Sequence, residues 1–223
     1  MKVVIFGSDK YLLTLMPTFA RFFHEYWPDC PWPVEVVSQT VTVSEFPTVC
    51  TGPDENFSQQ VLRYVEMEPG DEPFLMLLDD YFLTEPVNTE VVEHAYQVML
   101  DDPQVAHVNL WIIGDDVWRW EYSDHLGEFD KSRCNWLFQN QAGIWRPRLL
   151  RDIAQPDENG WHMETRGSSR ARSYPGRFLT VYENAISYTN YMGRAAPRQE
   201  GIDWLIENGM EPIYPPQEGG TSD

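Results

Sequence analysis

Short β-branched runs alternate with stretches of helical periodicity along the first half of the chain, and this alternation limits the fold more than any other feature. KVVIF at 2–6 precedes a stretch at 9–26 whose apolar residues recur at helical spacing. The same order returns with PVEVVSQTV at 33–41 and NFSQQVLRYVEM at 56–67. Strands separated by helices form a parallel sheet, because parallel neighbours need a long crossover. We therefore expect an α/β fold with a mixed, mostly parallel sheet flanked by helices.

The pattern continues into the second half. FLMLL at 74–78 and VAHVNLWII at 105–113 predict buried strands, with an amphipathic helix at 88–100 between them. Residues 42–55 are predicted to be a loop, and Pro17 is expected to kink or divide the first helical stretch. Further along we expect extended chain at 135–145, helices at 146–154, 157–172 and 198–209 (the last closed by Gly209), and a strand at 178–183.

Length and composition indicate one domain. The chain has 223 residues, of which 42% are hydrophobic, so a sizeable core can form. We expect a single domain over 1–214 and a flexible tail over 215–223. No apolar run approaches the roughly 18 residues of a membrane span, and the N-terminus does not resemble a signal peptide. Three widely spaced cysteines argue against a disulfide framework, which favours the cytoplasm.

The charge is distributed unevenly. The net charge is -19, and a chain this acidic repels polyanions as a whole. Residues 131–198 nevertheless hold eleven basic and five acidic residues, and ten of the eleven bases are Arg. Arg suits bidentate contact with phosphate. This window therefore indicates either a site for an anionic ligand or a solvated basic face.

The strongest chemical feature is LLDDYFL at 77–83. Asp79 and Asp80 follow an apolar strand, and ligands of open parallel sheets lie beyond the carboxyl ends of the strands. Carboxylates in this position suit Mg²⁺ or Mn²⁺ held together with substrate phosphates. The alternative is an ordinary turn or a helix cap. The chain contains no GxxxxGK[ST], GxGxxG, GxSxG or HExxH motif.

A second feature lies within the Arg-rich window. Trp161 and Glu164 are three residues apart, so they share one face of a helix. An ionised Glu beside a bound substrate can act as a general base on a hydroxyl. The alternative is an ion pair between Glu164 and Arg166, Arg170 or Arg172.

The order of the sequence motifs resembles that of a small glycosyltransferase of the GT-A fold, of bacterial or phage type. A GSD turn follows the first strand, LLDDYFL follows a central strand, and QAGIWRPRLL at 141–150 precedes the W-x-x-E segment. The stretch YENAISYTN follows a closing strand. The resemblance covers about residues 2–195.

The resemblance implies a metal-dependent transferase that moves a sugar from a nucleotide-diphospho-sugar to an acceptor hydroxyl. Asp80 would bind Mn²⁺ or Mg²⁺, Asp79 would contact the ribose or the sugar, and Glu164 would be the catalytic base of an inverting reaction. The remaining donor-binding residues implied are Gly7, Ser8, Asp9, Arg166 and Arg170.

The chain departs from the family pattern in two places. Tyr81 occupies the third position of the acidic motif, where a D-x-D spelling has its second Asp. The C-terminal metal-binding His of many members is not identifiable, and His125 and His162 are the candidates. An acceptor cleft is expected to be lined by tryptophans, and those considered are Trp111, Trp118, Trp120 and Trp136.

Three other functions remain open. A phage-type DNA glycosyltransferase would use the basic window on a DNA backbone, with aromatic side chains stacking on a flipped base. A nucleotidyltransferase would use similar acids, although the Gly-rich loop and Lys of such enzymes are not seen after the first strand. A catalytically inactive transferase-like domain would bind a partner, with VWRWEY at 117–122 as a surface.

Overall fold

A computed structural model describes residues 1–53, 56–112, 119–193 and 196–214. The strands are β1 Val3–Phe6, β2 Val34–Ser38, β3 Thr48–Cys50, β4 Phe74–Leu78, β5 Tyr81–Leu83, β6 Val105–Asn109, β7 Arg119–Glu121, β8 Leu126–Phe129, β9 Gly143–Trp145, β10 Arg177–Val181 and β11 Tyr188–Asn190. The helices are α1 Leu12–Tyr26, α2 Phe57–Met67, α3 Thr89–Asp101, α4 Pro147–Ile153, α5 Gly160–Ala171 and α6 Gln199–Glu207.

Nine of these strands form one mixed sheet in the order β3-β2-β1-β4-β9-β6-β10-β8-β7. Strands β1 to β4 run parallel, and β9 lies antiparallel between β4 and β6. Strand β10 pairs parallel with β6 and antiparallel with β8, which pairs antiparallel with β7. Only β8 and β9 therefore oppose the common direction. The predicted fold class, α/β with a mostly parallel sheet, is confirmed.

Helices cover both faces of the sheet. Strand β1 is therefore buried on both sides, and each of its residues is apolar. Val3 and Ile5 lie in the core shared with α1, α3 and Leu205 of α6. Val4 and Phe6 lie in the core shared with α2, α4 and α5. Alternate side chains of a strand point to opposite faces, so a strand buried on both faces needs an apolar residue at every position. No helix among the described residues is long and apolar enough to cross a membrane.

The ends of β1 and β4 bring the two predicted loops together. These neighbouring strands are parallel, with Phe6 opposite Leu78, so Gly7 and Asp79 leave the sheet side by side. The Asp79 N–H donates to the Phe6 carbonyl at 3.0 Å. The GSD turn (Gly7, Ser8 and Asp9) and the acidic pair (Asp79 and Asp80) therefore share one edge of the sheet.

Several local predictions need correction. The predicted loop at 42–55 contains β3, and the predicted strand at 105–113 ends at Asn109. Pro17 does not divide the first helix, because α1 continues through it to Tyr26, and the alternative of a kink stays a prediction. The carbonyl that Pro17 leaves without a helical partner belongs to Leu13, a residue on the exposed side of the helix. Gly209 has a φ of 70°, which confirms its left-handed conformation. The tail at 215–223 lies outside the described residues.

Candidate functional site

Two cavities meet at Asp80, at the edge of the sheet where β1 and β4 end. The turn cavity, of about 430 Å³, is lined by Phe6, Gly7, Ser8, Tyr11, Leu15, Gln39, Asn56, Phe57, Gln60, Leu78, Asp79, Asp80, Met192 and Gly193. The main cleft, of about 1020 Å³, is lined by Leu78, Asp80, Tyr81, Trp111, Trp136, Gln139, Asn140, Gln141, Asn159, Gly160, Trp161, His162, Glu164, Asn190, Gly193 and Arg198. Leu78, Asp80 and Gly193 line both, so one ligand can extend from the turn cavity into the main cleft.

The acidic pair differs in environment. Asp79 is 7% exposed, and its Oδ2 has no hydrogen-bond partner among the described residues. Burial raises the pKa of Asp79 well above its ordinary value, and the charge of Asp80 adds to this. Asp80 is half-buried, and burial raises its pKa to about 6, against the opposing charge of Arg198. Backbone hydrogen bonds from Ser8 to Asp79 and from Met192 to Asp80 offset part of this cost, and a bound cation would stabilise the ionised pair further.

Gly7 allows Asp79 to occupy this position. A Cβ at Gly7 would lie 2.4 Å from Leu12 Cδ1 and 2.9 Å from Asp79 Oδ2. These separations are shorter than van der Waals contact, so no larger residue fits without a shift. The close approach of Asp79 therefore requires a glycine at position 7 of the turn.

Glu164 projects from α5 into the main cleft. The N-terminus of α5 is capped by Asn159, whose side chain accepts from His162 N–H at 2.9 Å. Asn140 N–H donates to Glu164 Oε1 at 2.7 Å. Burial raises the pKa of Glu164, against the hydrogen bond from Asn140. A carboxylate with a raised pKa is a stronger base.

Aromatic rings and neutral amides form the walls of the main cleft. Tyr81 and Tyr188 stack with ring centroids 4.3 Å apart, and Trp111 lies 5.7 Å from Tyr188. Trp136 and Trp161 form a second pair at 5.7 Å. The amide side chains of the lining are Gln139, Asn140, Gln141, Asn159 and Asn190. Planar rings and amides are suited to the apolar faces and hydroxyl groups of sugars.

The tryptophans predicted for an acceptor cleft separate into three groups. Trp111 and Trp136 line the main cleft. Trp120 is 60% exposed on β7 and is not part of the lining. Trp118 lies outside the described residues. Trp161 was expected only to share a helix face with Glu164, and it also lines the main cleft.

Sequence reasoning missed the segment that closes the site from the C-terminal side. Strand β11 pairs with β5, which places Asn190 opposite Tyr81 and next to Asp80. Tyr191 N–H donates to the Asp80 carbonyl at 2.8 Å, and Arg198 N–H donates to the Tyr191 carbonyl at 2.8 Å. Asn190 and Arg198 both reach the main cleft in this way. The YENAISYTN stretch signalled this segment, but not which of its residues would face Asp80.

Other predicted donor-binding residues lie outside both linings. The Asp9 carboxylate accepts from the backbone N–H groups of Gln39, Thr40 and Val41 and so holds the loop after β2. Arg170 donates to both carboxylate oxygens of the buried Glu158, at 2.9 and 2.5 Å. Asp9 and Arg170 thus make contacts within the fold, and the partner of Arg170 is Glu158 rather than the expected Glu164. Gly7, Ser8 and Asp79, by contrast, line the turn cavity.

Of the remaining predicted residues, Arg166, His125 and His162, one lines the main cleft and two do not. Arg166 is exposed on α5 and lies outside both linings. His162 lines the main cleft, whereas His125 lies beside His94 in a different cavity, with ring centroids 5.4 Å apart. The structure therefore brings together Asp80, Glu164 and His162, and places His125 elsewhere.

The described residues hold no cluster of three His, Cys, Asp or Glu side chains around a common metal position. Where the two cavities meet, the carboxylates of the lining are those of Asp79 and Asp80. Mg²⁺ and similar hard cations bind through one or two carboxylates, completing their shell with water and substrate phosphates. Together with the partnerless Asp79 Oδ2, this donor set fits a divalent cation that binds with a phosphorylated ligand.

Comparison with solved structures supports the fold. CMP:2-keto-3-deoxy-manno-octonic acid synthetase complexed with CTP superposes with a TM-score of 0.55 at 15% identity, over 94% of this chain and 100% of that chain. UDP-glucose pyrophosphorylase complexed with UDP-glucose gives 0.53 at 11% identity, over 86% and 92%. Mannosyltransferase PcManGT from Pyrobaculum calidifontis, in complex with GDP-Man and Mn²⁺, gives 0.52 at 13% identity, over 93% and 60%.

These likenesses concern the fold. No protein-family model and no curated protein sequence matches the chain. The similar structures include both nucleotidyltransferases and a glycosyltransferase. The chain thus has the mixed α/β fold of enzymes solved with nucleotides and nucleotide sugars.

Proposed function

We propose that this protein is a metal-dependent glycosyltransferase that transfers a sugar from a nucleotide-diphospho-sugar to an acceptor hydroxyl. The observation that carries the proposal is the meeting of the two cavities at Asp80. The donor nucleotide would occupy the turn cavity beside Gly7 and Ser8. Its diphosphate would lie at Asp80, and its sugar would enter the main cleft, which contains Glu164.

The proposed reaction is a single displacement. Glu164, oriented by the Asn140 N–H, accepts the proton of the acceptor hydroxyl. The hydroxyl oxygen then forms a bond to the anomeric carbon while the bond from that carbon to the diphosphate oxygen breaks. A divalent cation at Asp80 supplies charge neutralisation for the departing diphosphate when it is bound. Arg198, on the wall of the main cleft, adds positive charge on the same side.

The walls of the main cleft favour an acceptor that is neutral and rich in hydroxyl groups. The charged residues of its lining are Asp80, Glu164 and Arg198, with His162 as a titratable neighbour. This set does not attract a polyanion. The three tryptophans and the amides of the lining match a saccharide or a polyol instead, which supports a glycan or small-molecule acceptor over a nucleic acid.

The test is a thermal-shift panel of UDP, GDP, CMP and dTDP and their sugar conjugates, each with and without Mn²⁺. A ligand at about 100 times its Kd stabilises the folded state by about 2.7 kcal/mol, which raises the Tm by a few degrees. We expect one nucleotide class to shift the Tm only with Mn²⁺, and Asp80→Ala to abolish that shift. Absence of any shift in folded protein would overturn the proposal.

A second arm separates the proposal from nucleotidyl transfer, the reaction class of two of the similar structures. Incubation with a nucleoside triphosphate and a sugar phosphate should release no pyrophosphate. The sugar nucleotide identified by the panel should lose its sugar to an acceptor or, slowly, to water. Pyrophosphate release that requires Asp80 would reassign the protein to the nucleotidyltransferases.

A further inference from the structure

Tyr81 carries a hydroxyl group that the fold does not use. The residue is 3% exposed, so its ring is buried. No described residue forms a hydrogen bond with its hydroxyl. The hydroxyl oxygen is not sealed from solvent, and Tyr81 lines the main cleft, so the hydroxyl opens into that cleft. A buried tyrosine ordinarily binds a partner through its hydroxyl. We therefore expect the partner in the cleft.

A stack with Tyr188 holds the Tyr81 ring in place. The two rings are nearly parallel, at 9°, with centroids 4.3 Å apart. The strands that carry them, β5 and β11, pair with Tyr81 opposite Asn190. The Tyr188 hydroxyl donates to Gln141 Oε1. One hydroxyl of the stack is thus bound within the protein, while the other is held in position without a partner among the described residues.

The Tyr81 hydroxyl lies among the charged residues of the main cleft. Burial raises the pKa of Tyr81 well above its ordinary value. The Tyr188 hydroxyl and the carboxylates of Asp80 and Glu164 raise this pKa further, and the charge of Arg198 opposes them. The hydroxyl therefore keeps its proton, and it can both donate and accept a hydrogen bond. It is also within range of both the acidic motif and the proposed base.

The position of Tyr81 favours the sugar of the donor as this partner. Tyr81 lines the main cleft but not the turn cavity, where the nucleotide is proposed to bind. It follows Asp80 directly in the chain, and Asp80 is the proposed position of the diphosphate. The group that extends from the diphosphate into the main cleft is the transferred sugar. Its hydroxyl groups donate and accept hydrogen bonds, as a neutral tyrosine hydroxyl does.

We infer that Tyr81 is a specificity-determining residue of the proposed transferase, and that its hydroxyl binds a hydroxyl group of the transferred sugar. The inference rests on the proposed function, because it concerns the donor of that reaction. It also gives a role to the residue that stands where a D-x-D spelling has its second Asp. Tyrosine at this position offers a neutral hydrogen-bonding group in place of a carboxylate.

The experiment compares the affinity for a nucleoside diphosphate with that for its sugar conjugate, by titration calorimetry in the presence of Mn²⁺. The pairs are UDP with UDP-glucose, GDP with GDP-mannose, and dTDP with dTDP-glucose. Tyr81→Phe keeps the ring and removes the hydroxyl. Tyr64→Phe is the matched control, because Tyr64 is buried, lines neither the main cleft nor the turn cavity, and donates to Glu35 Oε1 at 2.7 Å.

Tyr81→Phe should weaken binding of the sugar conjugate by about three- to tenfold, the effect of losing one hydrogen bond between neutral groups. Its affinity for the diphosphate alone should stay within about twofold of the wild type. Conjugates that lack single sugar hydroxyls should identify the partner, because wild type and Tyr81→Phe bind the conjugate without that hydroxyl equally well.

The stability of the two variants should differ in the opposite sense. Tyr64→Phe should leave both affinities unchanged and lower the midpoint of urea unfolding, because Glu35 loses a hydrogen bond. Tyr81→Phe should keep the wild-type midpoint, because its hydroxyl has no partner to lose among the described residues.

Three results overturn the inference alone. An equal loss of affinity for the diphosphate and its conjugate would assign the hydroxyl to the diphosphate. Affinities of Tyr81→Phe within about twofold of the wild type for both would exclude contact with the donor. A loss of stability as large as that of Tyr64→Phe would assign the hydroxyl to the fold. Wild-type protein that binds none of the probes would overturn the proposed function as well, so the two failures are distinguishable.

Discussion

At the scale of single residues, Glu164 has the contacts and the burial that the proposed base requires. Its Oε1 accepts the Asn140 N–H at 2.7 Å, and a carboxylate held by one oxygen can present the other to a bound hydroxyl. Burial raises its pKa because the ionised form loses solvation. The ionised form of Glu164 is the one that accepts a proton. The rate of the proposed sugar transfer is therefore lost as the pH falls through this raised pKa.

We therefore expect kcat/KM to rise with pH along a limb whose midpoint lies above 4.5, the ordinary pKa of Glu. Glu164→Gln should lower the rate by about 10²- to 10⁴-fold and remove this limb. Gln keeps an oxygen that can accept from Asn140 N–H, so the fold should be retained. The measurement is the pH profile of sugar transfer for both proteins. A profile unchanged by Glu164→Gln would exclude Glu164 as the base.

Gly7 is the residue on which the position of Asp79 depends. Gly7→Ala would place a Cβ 2.4 Å from Leu12 Cδ1 and 2.9 Å from Asp79 Oδ2. Overpacking of this kind lowers the free energy of unfolding by about 1–3 kcal/mol. Gly70→Ala is the control, because its nearest atom beyond the chain neighbours, Glu72 N, is 3.8 Å away. Urea unfolding should separate the two variants, and equal stabilities would contradict the close approach.

At the scale of elements, α5 is anchored to the elements around it. Ser168 Oγ donates to the Phe138 carbonyl and accepts from Phe138 N–H, both at 3.0 Å. Arg170 Nε donates to the Ile153 carbonyl at 2.7 Å, at the end of α4. These contacts fix the helix that carries Glu164 relative to the main cleft.

Arg170 provides a test of whether its guanidinium serves the fold or the donor. Arg170→Gln would leave Glu158, which is 1% exposed, without its ion-pair partner. Breaking a buried pair destabilises a protein by about 3–5 kcal/mol, and the partial exposure of Arg170 places our expectation near the lower value. Arg166→Gln, at an exposed position of the same helix, is the control. If Arg170→Gln keeps wild-type stability but loses the nucleotide-dependent Tm shift, the donor-binding role is correct.

The sequence predicted elements where local pattern determines structure. An unbroken apolar run such as FLMLL indicates a strand buried on both faces, and the acids that follow it must lie at the edge of the sheet. Strands β5, β7 and β11 have three residues each, too few for a periodic pattern to show. Asn190 meets Asp80 through the pairing of β11 with β5, which is more than 100 residues distant and has no local signature.

At the scale of the whole molecule, the Arg-rich window turns out to be used largely within the fold. Arg146 is buried and donates to the Val105 and Met99 carbonyls. Arg148 pairs with Asp71, and Arg151 donates to the Val65 and Glu68 carbonyls. Arg177 pairs with Asp102 at 3.5 Å. A count of charges along the sequence could not distinguish these structural roles from a basic surface.

The DNA-glycosyltransferase alternative depends on such a surface. Duplex affinity requires several cations placed against phosphates, and each contact makes binding weaker as salt increases. The arginines described above are committed to carbonyls and carboxylates, and the net charge of -19 adds long-range repulsion. We therefore expect no binding of a labelled 20-base-pair duplex at 50 mM or 200 mM NaCl, with a Kd weaker than about 10⁻⁴ M by fluorescence anisotropy. Single-stranded DNA of the same length is the control for stacking on the cleft tryptophans. Micromolar affinity that falls steeply between the two salt concentrations would mean that the arginines rearrange to track a backbone, and the acceptor would then be a nucleic acid.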